Sequence, residues 1–203
     1  MQGALAYDIV QSIFVGPDNL AVEGLSDCTY LTVLSDVLGV LDRVHLDPRR
    51  RVLPAGGPGS VAAAIAPMGQ QLDVTVVVNG RSHPPRILDG LGDAGVPGAT
   101  RVIMLGPIAE MDMADVEDLF DPEDILVTYN GTFGSSLTVD QLHADGDRVL
   151  ARIQQVEGDI DHGDFSNWLL RNRKAASYVL RPMTLDRFER LVQAINDTLA
   201  PMP

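Results

Sequence analysis

A chain of 203 residues, 45% hydrophobic and 21% charged, has enough material for one sizeable core and the composition of an ordinary globular protein rather than a disordered one. Its formal charge of −13 opposes polyanions, so contact with nucleic acid requires metal ions, a local basic patch or a basic partner. No apolar run approaches the roughly 18–20 residues of a membrane span; no basic, then apolar leader opens the chain. With Cys28 as the single cysteine, no internal disulfide forms, and the expectation is a cytoplasmic protein without a membrane partner.

Residues 2–14 read as a lead-in helix. Asn19 to Val22 is a short apolar strand. From Ser26 to Leu41, Tyr30, Leu31, Leu34, Val37, Leu38 and Leu41 recur at helical spacing, with Ser26 in position to cap the helix. Arg51 to Pro54 is a second strand, broken by Ala55-Gly56-Gly57-Pro58-Gly59 and followed by a small helix over 60–67. Asp73 to Val78 is apolar on both faces, as a buried parallel strand requires. A helix over 85–94 and a fourth strand over 101–105 complete the alternation. This order predicts right-handed βαβ units, a parallel sheet of about four strands and helices on its faces.

Beyond Pro107 the pattern changes. Asp112 to Phe120 reads as an acidic turn or short helix, ended by Asp121-Pro122, and Gly131 to Ser136 reads as a loop. Helices are expected over 145–157, 164–180 and 184–198. The chain therefore divides into an α/β core over 1–110 and a mainly helical part over 111–203, the latter opening with the acidic segment.

Ligands of open parallel sheets sit outside the carboxyl ends of the strands. The first strand delivers Glu23 there, and Asp27 follows one helical turn later. Two carboxylates so placed suit a hard cation such as Mg²⁺, which keeps several waters. The plainer reading makes Asp27 a first-turn acid complementing the helix dipole and Glu23 a solvated side chain. Gly24 permits a tight turn between them. Gly56 and Gly57 allow the chain to pass close to a ligand or to cradle an anion, or form an ordinary turn; they do not make a P-loop. The third strand delivers Asn79-Gly80-Arg81. Asp115 and Glu117 sit in the later acidic segment, where they either cap a short helix or complete a metal site.

The ordered set Val22-Glu23-Gly24-Leu25-Ser26-Asp27, Pro54-Ala55-Gly56-Gly57, an apolar strand ending at 79, and Val116-Glu117-Asp118-Leu119-Phe120 resembles the TOPRIM domain of OLD-family (overcoming lysogenization defect) nucleases. The lead-in Ala4-Leu5-Ala6-Tyr7-Asp8 and Phe14 resemble that family's approach to the domain, and the likeness spans roughly 2–180. It implies a TOPRIM, Rossmann-like core and metal-dependent cleavage or nicking of DNA with two Mg²⁺ or Mn²⁺ ions. Carried over, Glu23 and Asp27 match the first acidic motif, with Glu23 also catalytic. Glu117 matches the later acid, and Asp115 adds charge beside it. Lys174, the only lysine, stands where the family's transition-state lysine is expected; its bland alternative is a surface residue beside Arg171 and Arg173.

One motif departs. The family's Asp-x-Asp reads Asn79-Gly80-Arg81 here, with a neutral carbonyl for one carboxylate and a cation for the other. Ser82 and His83 do not replace two carboxylates. The two expectations are an OLD-type nuclease weakened at this motif and a catalytically degenerate TOPRIM domain that binds nucleic acid or protein. A response-regulator-like phosphotransfer domain would need an acceptor Asp where Asn79 stands. No Walker A sequence occurs, so the family's ATPase is expected as another domain or a partner chain. DNA is the expected substrate, and a homodimer is compatible with the likeness.

Overall fold

The computed structural model describes residues 18–57, 60, 73–80, 101–142, 148–160, 162–174 and 180–199. The helices expected over 2–14 and 85–94, and all but Ser60 of the one expected over 60–67, lie outside these residues, as do Arg81, Ser82 and His83. Four strands, β1 (Asp18–Val22), β2 (Arg51–Pro54), β3 (Asp73–Val78) and β4 (Arg101–Met104), form one parallel sheet in the order β2-β1-β3-β4. The α/β class and the all-parallel sheet agree with the sequence pattern. Register is set by pairs such as Leu20 with Val52 and Ala21 with Val76. The two central strands are buried along most of their length, with Asn19 and Thr75 as buried polar positions among apolar ones. Leu20, Val22, Val76 and Val78 are all buried.

Helix α1 (Leu25–Val40) follows β1 directly. Its N-cap is Gly24, two residues before the expected Ser26, and Asp27 reaches back to accept the Gly24 N–H at 2.8 Å. Tyr30, Leu31, Leu34, Val37 and Leu38 form its buried stripe, while Leu41 falls just past the helix end and is partly exposed. After β4 the chain turns at once into the short helix α2 (Leu105–Ala109). Glu110, with φ of 63°, ends it, and a 3₁₀ turn over Val116–Leu119 follows.

Among the described residues that follow, the helices are α3 (Pro122–Phe133), α4 (Val149–Glu157), α5 (His162–Arg171) and α6 (Pro182–Asn196). Gly131, expected in a loop, lies inside α3. A Cβ there would stand 2.3 Å from the Trp168 ring, so the glycine is what lets α5 pack closely on α3. Helices α5 and α6 both pack on α1. One apolar core runs from Leu20 in β1 to Ile195 in α6 and includes residues on both sides of position 110. Tyr30, Phe120 and Phe188 link its layers edge to face, with ring centroids 5.4 and 4.9 Å apart.

Candidate functional site

The strand order reverses between β1 and β3: from β1 the chain goes to one side for β2 and to the other for β3. That reversal opens a crevice at the carboxyl ends of these two strands. Glu23 leaves β1 there and Asn79 leaves β3. The Asn79 backbone N–H donates to Glu23 Oε1 at 2.9 Å across the crevice. On the other side, the Gly57 N–H donates to the Glu23 carbonyl at 2.8 Å. Gly56 and Gly57 have φ of 89° and 119°, a region costly for any side chain, so the turn after β2 requires glycine. The chain bends at Glu23 and Gly24 between β1 and α1, but Gly24 is extended there (φ −130°), which any residue adopts, so the bend does not require glycine.

The acidic segment reaches the same crevice through Gly80. Its N–H donates to the Ala114 carbonyl at 2.7 Å, and a Cβ on Gly80 would stand 2.5 Å from Ala114 N and 2.8 Å from Met113 Cα. This approach sets Asp115 and Glu117 near Asp27. Glu23, Asp27, Asp115 and Glu117 are each under a tenth exposed, at 3%, 7%, 4% and 4%.

Burying acids together raises their pKa values. Asp27 is raised chiefly by burial and further by the charge of Asp115; the Gly24 N–H and the Asn79 side chain bond its carboxylate and act in the opposite direction. Glu117 is pushed up to about 8, chiefly by burial, with the charges of Asp27, Asp115 and Asp118 adding to it. Asp118 plays a different part. Its two oxygens accept the N–H groups of Asp115 (2.8 Å) and Val149 (2.7 Å), so it ties the 3₁₀ turn to α4. The Asp115-x-x-Asp118 spacing is a capping pattern legible in the sequence.

Among the described residues, Arg148 brings a cation to these carboxylates, with its Nη1 2.9 Å from Asp115 Oδ2. No sequence signal marked it. Lys174, by contrast, is exposed. It lines a cavity of about 710 Å³ with Asp36, Gly39, His45 and Arg173. Asp36 is nine residues beyond Asp27 on α1, roughly 14 Å along the helix axis at 1.5 Å per residue. The structure therefore sets Lys174 at the opposite end of α1 from the acids with which the sequence grouped it.

Tyr30, read in the sequence as core, stands three residues after Asp27 on α1, and among the described residues its buried hydroxyl has no hydrogen-bond partner. Among the described residues, no group of three or more His, Cys, Asp or Glu side chains converges closely enough to hold a metal ion jointly. The residues that remain for an ion are carboxylate pairs. Mg²⁺ asks for no more than one or two carboxylates, completing its shell with water. Among the described residues, no helix is long and apolar enough to cross a membrane. No protein-family model, curated protein or solved structure gives a significant match to this chain.

Proposed function

We propose that this chain is a TOPRIM-type domain of the OLD kind that binds one hydrated divalent cation, Mg²⁺ or Mn²⁺, in the β1/β3 crevice and acts there on phosphodiester bonds of DNA. The observation that carries this reading is the enclosure of Asp27, Asp115 and Glu117 within reach of one another's charge, beside Glu23. Buried like charges oppose folding unless something compensates them, and a divalent cation is the compensation that such a set invites. Glu23 and Asp27 would hold the ion, with water completing its shell. The bound ion would supply Lewis-acid polarisation of a phosphoryl oxygen and an activated water. The chain's own part is to orient these carboxylates through the Asn79 and Gly24 N–H groups, and to offer the Arg148 guanidinium to developing negative charge.

The test is cleavage of supercoiled plasmid with Mg²⁺ or Mn²⁺, comparing wild type with Glu23→Ala. Nicking that requires the ion and Glu23 supports the reading. A folded protein that binds Mn²⁺ and leaves the plasmid intact overturns the cleavage part. A second reading, a degenerate domain serving as a binding or assembly module, is favoured by two contacts: the Asn79 side chain on Asp27 and Arg148 on Asp115. Both satisfy carboxylates that an ion would otherwise engage. Calorimetry with no Mg²⁺ or Mn²⁺ binding, alongside retained DNA or protein binding, selects it.

A further inference from the structure

Helix α1 ends at Val40, and the chain folds straight back over that end. Asp42, with φ of 57°, makes the turn, and the Arg43 N–H donates to the Leu38 carbonyl at 2.9 Å. The loop that follows is fastened from behind by α6. Glu189 accepts the Arg43 Nε–H and the Val44 N–H, each at 2.9 Å. Asn196 donates to the His45 carbonyl at 2.8 Å and accepts the Asp47 N–H at 3.0 Å. From α1, Ser35 Oγ accepts the Leu46 N–H at 2.9 Å. A loop held at this many points cannot fold its apolar side chains inward. Val40, Leu41 and Val44 stand 69%, 36% and 39% exposed. Beside them is the cavity of about 710 Å³, with apolar walls from Val37, Val40, Leu46 and Pro48.

Single exposed apolar residues need no explanation, but three grouped on a fastened loop mark an interaction surface. The charges lining the hollow indicate the partner. Asp36 comes from α1 and Arg173 from just past α5, so both signs are present. A uniformly acidic or basic partner would complement one and oppose the other. A second copy related by a two-fold axis presents the same patch reversed. The protruding side chains of each copy then meet the hollow of the other, and acid meets cation twice. We infer that this face is a two-fold interface between copies of this chain, with Val40 and Val44 of each seated in the hollow of its partner. Val40 is thirteen residues beyond Asp27, roughly 20 Å along the helix axis, so the pairing leaves the β1/β3 crevice open and does not depend on what binds there.

The test is sedimentation equilibrium and light scattering on the full chain. Salt is set at about 0.15 M, where repulsion between two copies of charge −13 is largely screened beyond about 8 Å. The wild type approaches twice the 21.8 kDa chain mass as its concentration rises to about 100 µM. Val40→Glu and Val44→Lys bring opposite charges to exposed positions, and each raises the dissociation constant about tenfold or more. Val156→Glu, at a position of α4 that is 41% exposed, leaves it within about twofold. A wild type that keeps the single-chain mass across this range overturns the inference. If inorganic phosphate then raises the melting temperature of that monomer but not of Arg173→Ala, the hollow takes a small anion instead. A dimer that both Val40→Glu and Val44→Lys leave intact overturns the placement on this face. A mass that climbs past two chains without a plateau overturns the two-fold geometry.

Discussion

Gly80 and Ala114 touch backbone to backbone: the Gly80 N–H donates to the Ala114 carbonyl at 2.7 Å, and a Cβ on Gly80 would lie 2.5 Å from Ala114 N. This contact carries the acidic segment to the end of β3. Gly80→Ala forces backbone apart, so it should lower stability by about 1–3 kcal/mol. Because Asp115 and Glu117 move with Ala114, it should also weaken Mg²⁺ binding. Urea denaturation and calorimetry on the same variant measure both. An unchanged unfolding midpoint would contradict the close approach.

Glu117 gives a pH prediction. Its pKa is raised from 4.5 to about 8 in the folded chain. The folded state therefore keeps a proton that the unfolded chain releases above its own pKa. The stability due to this group is complete below pH 4.5 and is lost as pH rises through about 8. The limiting slope is about 1.4 kcal/mol per pH unit. Subtracting the curve of Glu117→Gln from that of wild type, both in EDTA, isolates this slope from other acids. The difference should fall across that window and then level off. Mg²⁺ should restore most stability at the alkaline end, where the carboxylate is ionised.

Asn79→Asp restores a carboxylate at the motif that departs from the family. Without an ion, it replaces a side-chain hydrogen bond to Asp27 by repulsion, so stability in EDTA should fall by about 1–2 kcal/mol. With an ion it adds a charged donor, and Mn²⁺ affinity should rise about tenfold. Melts in EDTA and calorimetry with Mn²⁺ test the pair of effects. A fall in stability without a gain in affinity would place Asn79 outside the ion's reach.

The cations separate by position. Lys174→Ala should leave plasmid nicking within about twofold of wild type, because Lys174 lines a cavity with Asp36, Gly39 and His45, toward the other end of α1 from Asp27. Arg148→Ala should slow nicking about a hundredfold, the scale for losing one group that meets developing charge. Equal losses in both variants would contradict this division. Melting temperatures of each variant must accompany the rates, since Arg148 also partners Asp115.

The sequence alone determined the layered α/β pattern and the place where chemistry would gather. The strands are short apolar runs, and the helices repeat at 3.6 residues; both signals are local and survive without knowledge of neighbours. Glu23 and Asp27 are likewise a local pair, fixed by a strand end and one helical turn. The loop expected over Gly131 to Ser136 starts only at Gly134; Gly131 lies inside α3, where its lack of a side chain serves the packing of Trp168.

What only the tertiary structure decided is which distant residues complete that pair. Nothing in the chain order says that Gly80 would draw in Ala114, or that Arg148 would meet Asp115. Nor does it say that Lys174, promising by sequence position, would lie beyond the far end of α1. Local patterns fix the direction of a side chain from its own helix or strand. The distance between two such side chains depends on how the elements pack, which is set by the shared core from Leu20 to Ile195 rather than by any one segment.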